Sequence, residues 1–144
     1  MSGTLKEIGG ACHCGNIRYV FTLPEPVSRI TARACGCTFC VKHGGVYTSH
    51  PGASLTARID DHEAVNRYRF GHGTADFYIC QRCGVVPFVV SEVQGSPRAV
   101  VNARTFEGVD CAQMEQEKTD FDGETTDSRL ARRARNWIAH VTIT

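Results

Sequence analysis

Seven cysteines of this 144-residue chain fall into three short clusters whose spacing is typical of metal ligands. The clusters are Cys12-His13-Cys14, Cys35-Gly36-Cys37-Thr38-Phe39-Cys40 and Cys80-Gln81-Arg82-Cys83. Thiolates one or two residues apart can converge on one ion, and four sulfur ligands in a tetrahedron suit Zn²⁺ well. Because seven divides into four and three, the pattern predicts one closed structural zinc site and a second site with an open coordination position.

The two outer clusters are expected to form the closed site. One short pair of cysteines cannot enclose an ion, so a four-cysteine site needs two pairs from distant parts of the chain. Cys12 and Cys14 with Cys80 and Cys83 supply these two pairs. Metal binding at such a site is coupled to folding, and we therefore predict a structural role for the quartet.

The middle cluster can supply three corners of one tetrahedron from a single turn of chain, through Cys35, Cys37 and Cys40. The fourth ligand would be water, a substrate or another protein group. An exchangeable position on Zn²⁺ can hold an external thiol as a thiolate, which suits the making or breaking of a carbon–sulfur bond. Two alternatives stay open: Cys111 or His43 closes the site, or no metal binds there.

A disulfide framework is the competing use of eight cysteines, because an even number permits complete pairing. The spacing opposes it, since both thiols of a Cys-x-Cys pair on an extended strand point to one face and favour a shared ion. Residues 1–10 also lack the pattern of a signal peptide. We therefore expect reduced cysteines and a cytoplasmic protein.

Length and composition predict a single domain over residues 1–144. Hydrophobic residues make up 42% and charged residues 22% of the chain, which argues against disorder. No apolar run approaches the roughly 20 residues that span a bilayer, so no membrane contact is expected. The formal charge is +1. Seven thiolates with two Zn²⁺ ions would bring it to about −2, which makes nucleic acid an unfavoured partner. The oligomeric state cannot be inferred.

Short strands separated by turn residues dominate the pattern. The expected strands cover residues 16–22, 28–34, 46–50, 55–59, 66–70, 75–79, 85–90 and 98–103. Pro24 and Pro26 are expected to end the first of them. A short helical turn is expected to follow Thr38 as its N-cap, and a longer helix to follow Ser128. The apolar residues at helical spacing in that second segment are Leu130, Ala134, Trp137, Ile138 and Val141.

Arginines at positions 129, 132, 133 and 135 crowd the C-terminal helix. A basic helix can bind phosphate backbones, but one short run of charge is usually a solvated face, and we favour that interpretation. The histidines that are not near a cysteine cluster are interpreted in the same way, as surface residues; they are His50, His62, His72 and His140.

The order Cys-x-Cys, Cys-x-Cys-x-x-Cys, Cys-x-x-Cys-Gly resembles the glutathione-dependent formaldehyde-activating enzyme family. The resemblance covers roughly residues 8–123. Within that range, further residues that match the family's pattern are Gly15, Arg18-Tyr19, Gly84, Phe88, Val101-Asn102-Ala103-Arg104 and Gly108-Val109-Asp110. The resemblance implies a mainly β protein with little helix, a β-tent of several small antiparallel sheets around two zinc sites. It also implies the same division of the cysteines, with the outer quartet structural and the middle cluster at the active zinc.

The same resemblance implies a carbon–sulfur lyase that acts on a thiol adduct such as S-hydroxymethylglutathione, formed from glutathione and formaldehyde. Glutathione carries two carboxylates, so basic residues should line its site, and Lys42, Arg69 and Arg104 are candidates. Lys42 and Arg82 also adjoin thiolate clusters, whose negative charge they could offset. No general acid or base can be named. The alternative function is a non-catalytic zinc-stabilised module that binds protein or nucleic acid.

Overall fold

Strands make up most of the regular structure in the computed structural model, which describes residues 3–121 and 123–144. The strands are β1 (Leu5–Ala11), β2 (Ile17–Val27), β3 (Ile30–Cys35), β4 (Val46–Thr48), β5 (Ser54–Ile59), β6 (Val65–Tyr68), β7 (Asp76–Cys80), β8 (Phe88–Val93), β9 (Ser96–Asn102), β10 (Met114–Thr119) and β11 (His140–Ile143). The α-helices are α1 (Thr38–His43) and α2 (Thr126–Asn136), and short 3-10 turns cover His62–Ala64, Ala103–Thr105 and Cys111–Gln113. The prediction of a mainly β protein with little helix is confirmed.

The strands form two sheets of unequal size. The smaller sheet has the order β1-β2-β5-β11, and the larger has the order β10-β3-β4-β9-β8-β7-β6. All neighbouring strands are antiparallel except two pairs, β3 with β10 and β5 with β11. Both parallel pairs arise because the C-terminal third of the chain returns to add one edge strand to each sheet.

Alternating side chains explain why the smaller sheet buries one face. In β2, Ile17, Tyr19 and Phe21 point inward and are almost fully buried, while the residues between them are exposed. Leu55 and Ala57 of β5 continue the same apolar face. Period-two alternation of this kind is what a half-buried strand requires. Each of the eight strands expected from the sequence overlaps one of β2 to β9.

The prediction that prolines end the first expected strand is wrong, because β2 runs through Pro24 and Pro26 to Val27. Proline has no N–H to give to a ladder, so within a sheet it is tolerated where pairing is interrupted. The pairing of β2 with β5 stops at Thr22, and the register between β1 and β2 shifts in the same stretch. The prolines therefore occupy a part of β2 where the missing donors cost little.

The C-terminal helix ends earlier than its apolar spacing predicted. α2 stops at Asn136, and Ile138 instead exchanges two backbone hydrogen bonds with Ala99 of β9, at 2.8 and 3.1 Å. Val141 then lies in β11, which completes the smaller sheet. The prediction that Val141 continues the helix is therefore wrong. Within the described residues, neither helix has the length and apolar character needed to cross a lipid bilayer.

A close contact between neighbouring strands fixes the position of Tyr19. The ring of Tyr19 lies directly over Gly10 of β1, where any added Cβ would overlap the ring. The Tyr19 hydroxyl and Thr105 Oγ1 are 2.7 Å apart in the interior. Glycine at position 10 is thus required by packing, whereas a Cβ on its exposed neighbour Gly9 would meet nothing within 4 Å.

Gly10→Ala should lower the free energy of unfolding by about 1–3 kcal/mol, because the new methyl group displaces the Tyr19 ring. Gly9→Ala, one residue away in the same strand, is the matched control and should change stability by less than about 0.5 kcal/mol. Chemical denaturation of both variants checks this expectation. Equal stability of the two variants would show that the contact does not hold.

Candidate metal centres and the adjoining cavity

The four cysteines of the two outer clusters come together at one place. The Sγ atoms of Cys12, Cys14, Cys80 and Cys83 all lie within 4.8 Å of one another. The Sγ–Sγ distances are 3.8 Å from Cys12 to Cys14 and 3.5 Å from Cys14 to Cys80. Zinc–sulfur bonds of about 2.3 Å in a tetrahedron place the sulfurs about 3.8 Å apart, whereas a disulfide needs about 2.05 Å. The quartet is therefore spaced to fit Zn²⁺, and all four thiols are free.

Two tight turns present these thiols. The turn after β1 and the turn after β7 each contain a glycine with positive φ, Gly15 at 84° and Gly84 at 78°, which a side chain would disfavour. The Gly84 N–H donates to the carbonyl oxygen of Cys80 at 2.8 Å. The Ile17 N–H donates to Cys12 Sγ at 3.3 Å. Backbone donors of this kind stabilise a thiolate and fix its direction.

The protein environment shifts the thiol pKa values of the quartet in opposite directions. Burial raises the pKa of Cys12 above that of a free thiol. Burial acts in the same direction at Cys83, but hydrogen bonds from the backbone N–H groups of Cys14 and Val85 outweigh it and lower the Cys83 pKa. Cys83 thus ionises at a lower pH than Cys12, and a bound metal would have to displace the proton of the buried Cys12 thiol.

The three cysteines of the middle cluster form a second group, with their Sγ atoms within 4.8 Å of one another. Cys35 ends β3, Cys37 is the N-cap of α1, and Cys40 lies inside that helix. Cys37 Sγ accepts a hydrogen bond from the Cys40 N–H at 3.4 Å, so Cys37 caps the helix instead of the predicted Thr38. Three soft sulfur donors at this spacing also fit Zn²⁺.

Neither candidate for a fourth protein ligand lies with these three thiols. His43 Nε2 is 2.7 Å from the hydroxyl of Tyr47 and its ring stacks against Phe39. Cys111 is exposed, at the start of a 3-10 turn. Among the described residues, no other His, Cys, Asp or Glu joins the group. The described part of the chain therefore offers three ligands here, which corresponds to the open version of the site.

Electrostatic interactions within the middle cluster hold one thiolate beside a protonated hydroxyl. A hydrogen bond from Cys40 lowers the pKa of Cys35, with a further contribution from the positive charge of Arg132, and the same hydrogen bond raises the pKa of Cys40. Burial is the main cause that raises the pKa of Tyr47, and the neighbouring sulfur groups of Cys40 and Cys35 raise it further. The Tyr47 hydroxyl, 3.8 Å from Cys40 Sγ, therefore keeps its proton at neutral pH.

The middle cluster opens into a cavity of about 400 Å³, a size within the usual range of small-molecule sites. Its apolar wall comes from a cluster of buried residues on α1, the larger sheet and the C-terminal segment. The lining side chains of this wall are Tyr47, Phe70, Phe77, Val89, Val100 and Trp137. Its basic wall consists of Arg33, Arg129, Arg132 and Arg133. The cavity thus combines soft sulfur, aromatic surface and positive charge.

The interpretation of the C-terminal arginines as a solvated face is wrong for three of the four. Arg129, Arg132 and Arg133 line the cavity, and Arg133 is only 6% exposed. Only Arg135 is exposed, as predicted. Burial lowers the pKa of Arg133 to about 10, helped by the charges of Arg132 and Arg129, and the guanidinium still keeps its charge at neutral pH. His72, interpreted as a surface residue, is exposed but also lines this cavity.

Specific contacts hold these arginines in place. The Arg132 guanidinium donates to both carboxylate oxygens of Glu124, at 2.9 and 3.0 Å, and lies 3.7 Å from the centre of the Phe121 ring. Arg133 Nη1 donates to Thr74 Oγ1 at 2.8 Å and to Ser91 Oγ at 3.0 Å. A planar guanidinium held on two sides presents its remaining donors in a fixed direction.

The basic residues proposed from the sequence as substrate contacts lie elsewhere. Lys42 is exposed on α1, Arg69 pairs with Asp76, and Arg104 Nε donates to the carbonyl oxygen of Gly44, and none of the three lines the cavity. A signal for the arginines that line the cavity was present in the sequence, because positions 129, 132 and 133 share one face of a helix. Helical spacing alone did not reveal which face would be covered.

The two groups of thiols should respond differently to mutation. Cys80→Ser removes a buried member of the quartet and should lower the free energy of unfolding by about 4 kcal/mol or more. Cys37→Ser, at the edge of the cavity, should cost about 1 kcal/mol or less. Thermal unfolding with measurement of the zinc content checks both, and Cys111→Ser, an exposed cysteine outside both groups, is the control. Equal losses of stability in Cys37→Ser and Cys80→Ser would contradict separate roles.

Comparison with known proteins identifies the family. A crystal structure of a Rhodobacter sphaeroides protein superposes with a TM-score of 0.54 at 24% sequence identity, covering 76% of this chain and 99% of that one, so the fold is shared. No curated protein matches the sequence significantly. The model of the glutathione-dependent formaldehyde-activating enzyme family matches residues 7–121, which include all seven clustered cysteines. The chain therefore belongs to the glutathione-dependent formaldehyde-activating enzyme family.

Proposed function

We propose that this protein is a zinc-dependent carbon–sulfur lyase that acts on an adduct of glutathione or a similar thiol, such as S-hydroxymethylglutathione. The observation that carries the proposal is the group of three free thiols, with no fourth ligand among the described residues, at the wall of a small-molecule cavity. Membership of the family supports glutathione and formaldehyde as the reactants.

Cys35, Cys37 and Cys40 would hold the zinc ion of this site, and the outer quartet would hold a structural one. Zinc bound to the three thiolates would accept the substrate thiol and favour its ionised form. The protein contributes orientation, since β3 and the cap of α1 fix the three sulfurs before any substrate arrives. The aromatic residues of the cavity wall would limit the access of water to the reacting carbon.

The reaction requires a proton as well as a bond between sulfur and carbon. When the adduct forms, the thiol sulfur loses its proton and bonds to the carbon of formaldehyde. The carbonyl oxygen gains a proton and becomes a hydroxyl group. The reverse direction breaks the carbon–sulfur bond and returns the proton. Tyr47 lines the cavity, and its hydroxyl is 2.7 Å from His43 Nε2 and 3.8 Å from Cys40 Sγ. We assign it as the hydrogen-bond donor to that oxygen.

The alternative of a non-catalytic module that binds protein or nucleic acid through the arginine-rich helix has less support. Such a surface needs exposed arginines, and three of the four arginines on α2 line the cavity instead. Arg135 alone projects from the exposed side of the helix.

Native mass spectrometry in the presence of glutathione tests the proposed function. The wild-type protein should carry two zinc ions and one glutathione, because the middle site offers a free coordination position. Cys37→Ser should lose the glutathione adduct and keep the structural zinc. A single tightly held zinc ion and no glutathione adduct in the wild-type protein would refute the proposal.

Tyr47→Phe should reduce kcat for cleavage of S-hydroxymethylglutathione by about tenfold or more, because it removes the donor to the reacting oxygen. KM should change less than kcat, since the sulfur ligands remain. Tyr68→Phe is the matched control: Tyr68 belongs to the neighbouring aromatic cluster, is 41% exposed and does not line the cavity. Steady-state kinetics of both variants measure the effect. An unchanged kcat in Tyr47→Phe would remove this hydroxyl from the mechanism.

A further inference from the structure

Among the described residues, the walls of the cavity beside the middle cluster carry more arginines than acidic side chains. Four of its described lining residues are arginines and none is Asp or Glu. Glu124 pairs with Arg129 and Arg132 but is not among the lining residues. Guanidinium groups stay charged in proteins, so like charges gathered in a partly buried space favour an anion between them.

An unused buried donor points to the same conclusion. Arg133 is 6% exposed, and its Nη1 atom is taken by Thr74 and Ser91. Its Nε atom has no hydrogen-bond partner among the described residues, and neither has the buried Oγ1 of Thr119, another residue of the cavity wall. Folded proteins rarely leave such groups unpaired, so these atoms mark where a polar ligand group would bind.

We propose that Arg33, Arg129, Arg132 and Arg133 form a carboxylate-binding site that makes this protein selective for thiols bearing a carboxylate. The inference rests on the proposed function, because it assumes that the thiol sulfur binds at the middle cysteines. It goes further by assigning selectivity to α2. The family match ends at residue 121 and α2 begins at Thr126, so three of the four arginines come from outside the matched region.

The arginines are arranged to recognise a carboxylate before one binds. Glu124 and Phe121 fix the plane of the Arg132 guanidinium, and Ser49 Oγ accepts a hydrogen bond from Arg33 Nη2 at 2.9 Å. Because Glu124 accepts from Nε and Nη2 of Arg132, the Nη1 side of that guanidinium is left to donate to a ligand carboxylate, and fixing it in advance reduces the entropy lost on binding. The site therefore suits the carboxylates of glutathione, in the same cavity as the reacting sulfur.

Calorimetric titration of the zinc-loaded wild-type protein separates this inference from the proposed function. Glutathione and glutathione diethyl ester share the same thiol, but the ester lacks both carboxylates. We expect the ester to bind at least about tenfold more weakly. Equal affinities would overturn the carboxylate site and leave the thiol lyase standing. S-methylglutathione, which keeps the carboxylates and cannot form a thiolate, should still bind; its failure to bind would also overturn the carboxylate site.

Two arginines of one helix provide a matched pair of variants. Arg132→Gln and Arg135→Gln each remove one positive charge from α2, but only Arg132 lines the cavity. Arg132→Gln should weaken glutathione about tenfold and change the affinity for the diethyl ester by less than about twofold. Arg135→Gln should leave both affinities unchanged. Equal weakening by the two variants would show a general charge effect and overturn the assignment.

A second variant guards against an indirect effect, because Arg132→Gln also releases Glu124. Arg33→Gln lies on β3, away from the segment that carries Glu124, and should weaken glutathione in the same selective manner. Thermal unfolding confirms that each variant is folded. Inorganic phosphate should displace S-methylglutathione only weakly, and displacement at equal concentration would identify a general anion site and contradict selection for carboxylates.

Discussion

The arrangement of this protein depends on one long-range contact, the meeting of four thiols from two hairpin turns. Cys14 and Cys80 are 66 positions apart in the chain, yet their sulfur atoms are 3.5 Å apart. Cys12 and Cys80 also belong to the main apolar core, so the contact fastens the smaller sheet to the larger one at a buried point. Free thiols crowded at this spacing would gain little from one another, and a shared ion would supply the attraction that holds the turns together.

The thiols of Cys35, Cys37 and Cys40 lie in a different environment from those of the quartet. They stand at the end of β3 and on the six-residue helix α1, beside a cavity instead of within the main core. A ligand can enter and leave there without disturbing the sheets. The C-terminal part of the chain completes the cavity. Trp137 adds to the apolar wall of the cavity, and α2 supplies three of its four arginines. On the proposed function, stability and ligand exchange would therefore depend on separate groups of cysteines.

Local residue spacing predicted much of this organisation. The three cysteine clusters and the alternating apolar residues of β2 depend on neighbours one to three positions apart, and such patterns survive folding unchanged. β10 was missed because its residues, Met-Glu-Gln-Glu-Lys-Thr, do not alternate; it is an edge strand whose side chains are mostly exposed. β11 was missed because Trp137 and Ile138 continue the helical spacing after the helix has ended.

The arginines of α2 show that residue spacing predicts a shared helix face but not what that face contacts. Positions 129, 132 and 133 share one helix face, but whether that face meets water or protein depends on where α2 docks. Glu124 and Phe121, from the segment just before α2, and Thr74, from a distant part of the chain, cover it. The effect of Pro24 and Pro26 also depends on tertiary structure. A proline ends a strand only where a neighbouring strand needs a hydrogen bond from that residue's N–H, and β2 has no such neighbour along β5 after Thr22.

X-ray absorption at the zinc edge tests the central claim most directly, because it counts the sulfur atoms around the metal. Seven thiolates shared by two ions give an average of about 3.5 sulfur ligands per zinc, and glutathione bound at the open position should raise it to about 4. An average of about 4 before glutathione is added would mean that both sites are closed. An average that stays near 3.5 at saturating glutathione would contradict thiol binding at the middle cysteines.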